Sequence, residues 1–280
     1  MLISYAQNRE DVLLHRAFPK TDGFYVDVGA ADPIEYSVTK WFYDRGWNGI
    51  NLEPQLRYYT RILDNRPRDI NLKLAVADKP GTLTLYEMVD YGGWATLQED
   101  VAESARQSGI QLQPNKVPVL TLAEVCEKHA DRPIDFMKID VEGSERVALL
   151  GADFKRFRPK VLVIEATEQG KSTTNHQVWE DIVLAADYLY ATFDGLNRYY
   201  VAAECKELVD VLAVPPNVFD QYVTYEHWAL IQQSARLNEA LAAMANCVSR
   251  ETYDRLAWLL SEARAEANNL RHACLLRVAG

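Results

Sequence analysis

Four cysteines in 280 residues, Cys126, Cys205, Cys247 and Cys274, contain no C-x-x-C pair and no metal-ligand spacing, so neither a disulfide framework nor a structural zinc site is encoded. Reduced thiols in a cytoplasmic protein are the simplest expectation. Positive charge is also short: 30 Lys and Arg against 40 Asp and Glu leave a net charge of −10. That speaks against non-specific nucleic-acid binding, because counterion release needs clustered cations. No apolar run approaches the ~18 residues of a membrane span. Met1 to Asn8 has neither the basic region nor the apolar region of a signal peptide. The expectation that remains is a soluble protein, with a length that permits one large α/β domain and an appendage, or two small domains.

Glycine is scarce at the position that matters most. Phe24-Tyr25-Val26-Asp27-Val28 has the aromatic and β-branched character of a buried strand, and it runs into Gly29-Ala30-Ala31-Asp32-Pro33-Ile34. In open α/β sheets ligands bind beyond the carboxyl ends of the strands, so Asp27 and Gly29 stand where a site is expected. A dinucleotide fingerprint needs G-x-G-x-x-G, so that a pyrophosphate can approach backbone amides at a helix start. Here there is one glycine, and Asp32 stands where it would repel that phosphate. A phosphate-free cofactor with a cationic amino-acid end fits better, and an NAD-dependent oxidoreductase is the disfavoured alternative.

Along the chain, an amphipathic lead-in over residues 1–20 precedes this strand, and a helix is expected from about Ser37 to Arg45. A second strand, Gly49 to Leu52, ends at Glu53-Pro54, with a helix from about Gln55 to Asn65. A third, from about Ile70 to Val76, ends at Ala77-Asp78. Lys79-Pro80-Gly81 then turns the chain into Thr82 to Tyr86. Val89 to Lys116 reads as a long insertion, with Trp94 behind Gly92-Gly93 as a lid residue able to close over an acceptor. Ile134 to Ile139 ends at Asp140-Val141-Glu142-Gly143, and Val161 to Ile164 ends at Glu165. A helix near residues 178–186 and strands near 189–193, 198–201 and 208–214 complete the sheet.

Four carboxylates thus close four successive parallel-strand candidates: Asp27, Glu53, Asp140 and Glu165. Glu53 is placed to accept hydrogen bonds from ribose hydroxyls, a geometry that also serves NAD. Asp140, Glu142, Glu165 and His176 are the candidates to remove a proton from an acceptor. Asp140 is the first choice, because its strand adjoins the first strand in this kind of sheet. Capping the following helix is its plainer role. Glu142 equally suits first-turn helix charge, and His176 an ordinary surface histidine. A Mg²⁺ ion held by Asp140 and Glu165 is a further alternative, since hard cations prefer carboxylate oxygens.

Ser4-Tyr5-Ala6-Gln7-Asn8, Asp27-Val28-Gly29-Ala30, Gly46-Trp47-Asn48-Gly49 with Glu53-Pro54, Lys138-Ile139-Asp140-Val141-Glu142-Gly143 and Phe193-Asp194-Gly195-Leu196-Asn197-Arg198 occur in this order. The set resembles the FkbM family of S-adenosylmethionine-dependent methyltransferases over roughly residues 1–220. The resemblance implies a class I methyltransferase, Rossmann-like α/β fold: a mostly parallel sheet with helices on both faces. It also implies O-methylation of a hydroxyl on a sugar, glycan or polyketide-derived product, and a saccharide or glycolipid-linked acceptor is expected. Carried over by position, Asp27, Gly29 and Ala30 would hold the methionine end of the cofactor, Glu53 the ribose, and Ala77 and Asp78 the adenine. Ser37 and Gln7 would assist with the carboxylate or amine.

Pro215-Pro216 marks a change of composition, with a methyltransferase domain expected over 1–221 and a helical appendage over 222–280. Leu237, Leu241, Met244 and Val248 recur at steps of four and three, as do Leu256, Leu260, Ala263, Ala267, Leu270 and Cys274. This is the pattern of a helical hairpin or short coiled coil. It packs on its own domain, self-associates, or docks a protein partner; in the last case the protein is an assembly module with a methyltransferase-like body.

Overall fold

The computed structural model describes residues 2–89, 94–168, 170–244, 250–252, 254–262 and 265. Residues 1–223 form one compact unit and residues 224–280 a second. In the first, β1 (Leu2–Ser4) and α1 (Glu10–Ala17) lead into β2 (Phe24–Val28), α2 (Lys40–Asp44), β3 (Asn48–Leu52), α3 (Leu56–Asn65) and β4 (Ile70–Leu72). The short β5 (Ala75–Val76), β6 (Gly81–Met88), β7 (Ala95–Thr96), α4 (Glu99–Gln107) and β8 (Leu112–Leu120) follow. Then come α5 (Leu122–His129), β9 (Phe136–Ile139), α6 (Glu145–Leu150), β10 (Val161–Glu165), α7 (Glu180–Ala185), β11 (Tyr188–Phe193), β12 (Asn197–Ala202) and α8 (Glu207–Ala213).

Seven strands form the main sheet in the order β11-β12-β10-β9-β2-β3-β4. The sheet is mixed: β10, β9, β2, β3 and β4 pair in parallel, and β12 runs against both of its neighbours. From β2 the chain steps outward to β3 and β4, then returns to the other side of β2 as β9 and β10. This reversal is the topological switch point at which open α/β sheets bind their ligands. The two faces of the sheet differ in kind. Phe24, Val26, Val28, Ile50, Leu52, Met137, Ile139, Leu162 and Ile164 project into one apolar core. On the opposite face Lys138 is registered against Asp27, Asp27 against Asn51, and Asn51 against Asn71. A buried polar row of this kind is tolerable only if every member finds a partner.

Several expectations change. The stretch read as one strand from Ile70 to Val76 is two, β4 in the main sheet and β5 in a second, four-stranded sheet ordered β5-β8-β6-β7. The stretch read as a long insertion is largely ordered: β7 and α4 are followed by β8, which pairs antiparallel with β6 from Leu112 to Val119. The residues expected as a last strand, Leu208 to Val214, lie mostly in helix α8, with Leu212 buried and Glu207 and Asp210 in its first turn. Its apolar residues are satisfied by one buried face at helical spacing. The helix expected from Ser37 begins only at Lys40. Local chemistry starts α5, where Thr121 and Glu124 form a capping box.

In the second unit, helix α9 spans Tyr225–Met244, and residues 250–252 and 254–262 are also helical. Val248, Ala263, Ala267, Leu270 and Cys274, on which the expected hairpin depends, lie outside the described residues. No described helix is long and apolar enough to cross a membrane.

Candidate active site

A cleft with a cavity volume of about 120 Å³ opens at the switch point. On the main-sheet side it is bounded by Val28, Gly29, Leu52, Glu53 and Asp140, and across from them by Leu85, Ala95, Thr96 and Leu97 of the second sheet. Its mostly apolar walls with a few polar groups are what small-molecule sites present.

Glu53 is the polar centre of the cleft. It is buried, and its two oxygens accept the amides of Ala31 at 2.8 Å and Gln55 at 2.7 Å. Each oxygen keeps a further lone pair for a ligand hydroxyl. Burial pushes its pKa up to about 7, against the opposing pull of the two amides. Gly29 has φ 77°, and a Cβ there would collide with the carbonyl oxygen of Asp140. The glycine is therefore required by the close crossing of two backbone segments, β2 and β9, as much as by any ligand.

Two non-glycine residues of the lining hold left-handed backbone, Ala31 at φ 50° and Glu142 at φ 53°. Each is fixed by a buried carboxylate. Glu53 takes the Ala31 amide, and Glu145 takes the amides of Val141 and Gly143 on either side of Glu142. Burial raises Glu145 to about 7 as well. Strained backbone persists where the surroundings over-determine it, and here those surroundings are identified.

Lys138 joins the parts. Its Nζ donates to the Gly29 carbonyl at 3.0 Å and lies 3.2 Å from Asp140 Oδ2 and 3.8 Å from Asp27 Oδ1. Burial works against its charge, but Asp140 and Asp27 outweigh this and hold its pKa above the usual lysine range. Glu165 is buried beside Asp140. Burial first, then the charges of Asp140, Glu142 and Glu145, raise its pKa far above the carboxylate range.

Of the residues singled out from sequence, Gly29, Glu53, Asp140 and Glu142 line the cleft, and Glu165 reaches it through Asp140. The others do not line it. Asp27 lies inside β2, almost fully buried, with Oδ2 accepting from Thr39 and burial raising its pKa against the pull of Lys138. Ala30 packs with Asp27, Pro33 and Ser37 behind the cleft. The Ser37 hydroxyl accepts from buried Arg66, which also donates to the Pro33 carbonyl. Gln7 is exposed, with its carbonyl accepting from Arg9. Ala77 is buried with its amide bonded to Leu120, and Asp78 is exposed; Leu74, Ala75 and Val76 line the cleft in their place. Asp32, expected to repel a phosphate, accepts the amides of Ile34 and Glu35 and pairs with Arg61. His176 sits in another cluster, 3.9 Å from Glu180 and near Arg198; burial, then Arg198, lowers its pKa. Among the described residues no group of three or more His, Cys, Asp or Glu side chains is arranged to hold a metal ion.

Lys138 and Glu145 were missed as parts of the site. A lysine between Met137 and Ile139 in a buried strand is itself a signal, because lysine is almost never buried unpaired. Glu145 carries no such mark, since acids are common in first helical turns.

Residues 27–190 match the family model described as the methyltransferase FkbM domain, more than half of the chain. The chain belongs to this methyltransferase family. Among solved structures it is similar to the methyltransferase FkbM from Methylobacillus flagellatus KT, at 18% identity and a TM-score of 0.40, covering 64% of this chain and 44% of that one. It is also similar to the O-methyltransferase from Bacillus cereus in complex with SAH, at 13% identity and a TM-score of 0.38, covering 71% of this chain and 84% of that one. The chain thus spans less than half the length of the first of these. At these scores the family model, and neither structural likeness, decides membership. Among curated proteins none matches.

Proposed function

We propose that this FkbM-family methyltransferase uses S-adenosylmethionine and transfers its methyl group to a hydroxyl of a saccharide or glycolipid-linked acceptor. The observation that carries the cofactor reading is Glu53: a buried carboxylate, fixed by two backbone amides, facing an apolar cleft at the switch point of the sheet. Such a group suits the paired hydroxyls of a ribose, and the apolar walls formed by Leu74, Val76, Leu85 and Leu97 suit a purine. The cofactor supplies an electrophilic methyl on a positively charged sulfur.

The chain's own task is to align an acceptor oxygen with that methyl and to take the hydroxyl proton. Alignment alone is worth on the order of 7–11 kcal/mol in favourable cases. Asp140 is the group proposed to take the proton. It stands at the margin of the cleft with its side chain 30% exposed, held by Lys138 and with Glu165 beside it. The acceptor class follows the family resemblance, and the half-exposed indole of Trp94 offers a flat apolar face against which a sugar ring can lie.

Calorimetric titration of the full chain with S-adenosylmethionine, S-adenosylhomocysteine and NAD tests the cofactor. Binding of the first two with no heat from NAD is expected; binding of NAD alone overturns the reading. For the base, Asp140→Asn is expected to lose most methyl transfer from labelled S-adenosylmethionine into a saccharide pool while keeping cofactor affinity within a few-fold. Unchanged transfer removes Asp140 from the mechanism.

A further inference from the structure

The side of the cleft formed by Ala95, Thr96 and Leu97 is packed on its own sheet, with Ala95 and Leu97 in a small apolar cluster and the Met88 amide donating to the Trp94 carbonyl at 2.9 Å. Strand β7 pairs with β6 through only two residue pairs, Tyr86 with Thr96 and Glu87 with Ala95. Beyond this, two contacts carry the segment across to the loops that follow β9 and β10. The Gln98 side chain donates from Nε2 to the Gly143 carbonyl at 2.5 Å. The Trp94 ring lies against Gly170, where a Cβ would come within 3.0 Å of its Cη2.

Gly143 is shaped as the seat for Gln98. Its φ is 91°, and a Cβ on it would lie 3.0 Å from Gln98 Nε2, so a side chain there would be strained and would crowd the amide. The Gly143 amide is itself held by the buried Glu145 carboxylate, which presents the carbonyl from a fixed turn. The hydrogen bond spans 45 residues of chain and joins the second sheet to the loop that carries Asp140 and Glu142.

We propose that Gln98 is a positioning residue that holds the Trp94–Gln98 segment shut over the cofactor cleft, so that cofactor enters and leaves only when the Gln98–Gly143 hydrogen bond opens. The identity of the cofactor rests on the S-adenosylmethionine reading above; the closure does not. Neither Gln98 nor Gly143 lines the cleft, so their bond holds the wall without touching a ligand and acts on the empty and the filled protein alike. Loosening it therefore speeds entry and exit together and leaves affinity nearly unchanged. A single amide–carbonyl hydrogen bond shifts such an opening equilibrium about three- to tenfold.

The test is stopped-flow binding of S-adenosylhomocysteine to the full chain carrying Gln98→Ala, Gln98→Glu or Gln98→Lys, with hydrogen exchange of the ligand-free proteins alongside. Gln98→Ala is expected to raise association and dissociation rates about three- to tenfold with Kd within about twofold. Gln98→Glu keeps the size but sets a carboxylate against a carbonyl, so it is expected to raise them at least as far. Gln98→Lys restores a donor and is expected to return the rates toward wild type. Unchanged rates overturn the proposal. So does a rise in dissociation alone with weakened Kd, which makes Gln98 a ligand contact, or a Gln98→Glu protein that behaves as wild type. If the wild-type chain does not bind S-adenosylhomocysteine, the cofactor reading fails, and hydrogen exchange decides the closure by itself. Amides of α4 then exchange three- to tenfold faster in Gln98→Ala if the bond holds the segment, and at the wild-type rate if it does not.

Discussion

The two sides of the cleft are held by different means. On the main-sheet side the groups around the cleft are fixed by buried partners: Glu53 by two amides, Glu142 by the turn that Glu145 organises, Gly29 and Asp140 by Lys138. On the second-sheet side Ala95 to Gln98 are held by a two-pair strand and a small apolar cluster, and one side-chain hydrogen bond, from Gln98 to Gly143, ties them across the cleft. The difference divides the labour of the site. Chemistry needs groups held within a fraction of an ångström, which buried networks supply. Exchange of a ligand needs a wall that opens, and such elements come from the least stable part of a structure.

The sharpest way to break this contrast is Gly29→Ala. The new methyl meets the Asp140 carbonyl and the residue must hold φ 77°, so a loss of about 4 kcal/mol or more in urea unfolding is expected. A loss below about 1 kcal/mol would show that β2 and β9 can part, and that the main-sheet side is not rigid. Next in size is Lys138→Met, which leaves Asp27 and Asp140 without their cation. Breaking a buried pair this way is expected to cost about 3 kcal/mol, read from the same unfolding curves.

A smaller effect concerns pH. Burial raises Glu10 to about 8 and Glu53 and Glu145 to about 7 in the folded chain, against an ordinary value of 4.5. Below 4.5 these acids are protonated whether the chain is folded or not, and their stabilising contribution is complete. As pH rises through 7 to 8 the unfolded chain has long released protons that the folded chain still binds, so this contribution is lost. The melting temperature is therefore expected to fall by several degrees between pH 5.5 and 8.5. Glu10→Gln should flatten that slope, and an unaltered slope would place the titrating groups elsewhere. Smallest of all, Gln98→Ala is expected to change unfolding free energy by no more than about 1 kcal/mol. A larger loss would make the second-sheet side a structural pillar and erase the contrast.

How far the sequence could be read follows the same division. β2, β3, β9 and β10 were legible as short strand-like runs, the last three ending at Glu53, Asp140 and Glu165 and the first at Gly29, and Gly29, Glu53, Asp140 and Glu142 do border the cleft. The second sheet was legible only in part: Thr82 to Tyr86 falls in β6, but the first half of β8 holds Gln113, Pro114 and Asn115, residues that favour loops, and is a strand by virtue of pairing with β6. Asp27 looked like a ligand because it is an acid near a strand end. Its neighbours Lys138 and Thr39 commit it to the interior, and that proximity exists only once β2 and β9 are in register. Asp32 misled in the same way, since its own turn and Arg61 absorb its charge.

The central claim is that Glu53 presents a carboxylate to the hydroxyls of a nucleoside. With a pKa of about 7, this group is largely neutral at pH 6 and ionised at pH 8. The direct measurement is the affinity for S-adenosylhomocysteine from pH 6 to 8.5, for the wild-type chain and for Glu53→Gln. The account predicts that wild-type binding tightens as pH rises through 7, by up to about tenfold per unit on the acid side, and that the variant binds weakly with no such dependence. Equal affinity of the two proteins across that range would contradict it.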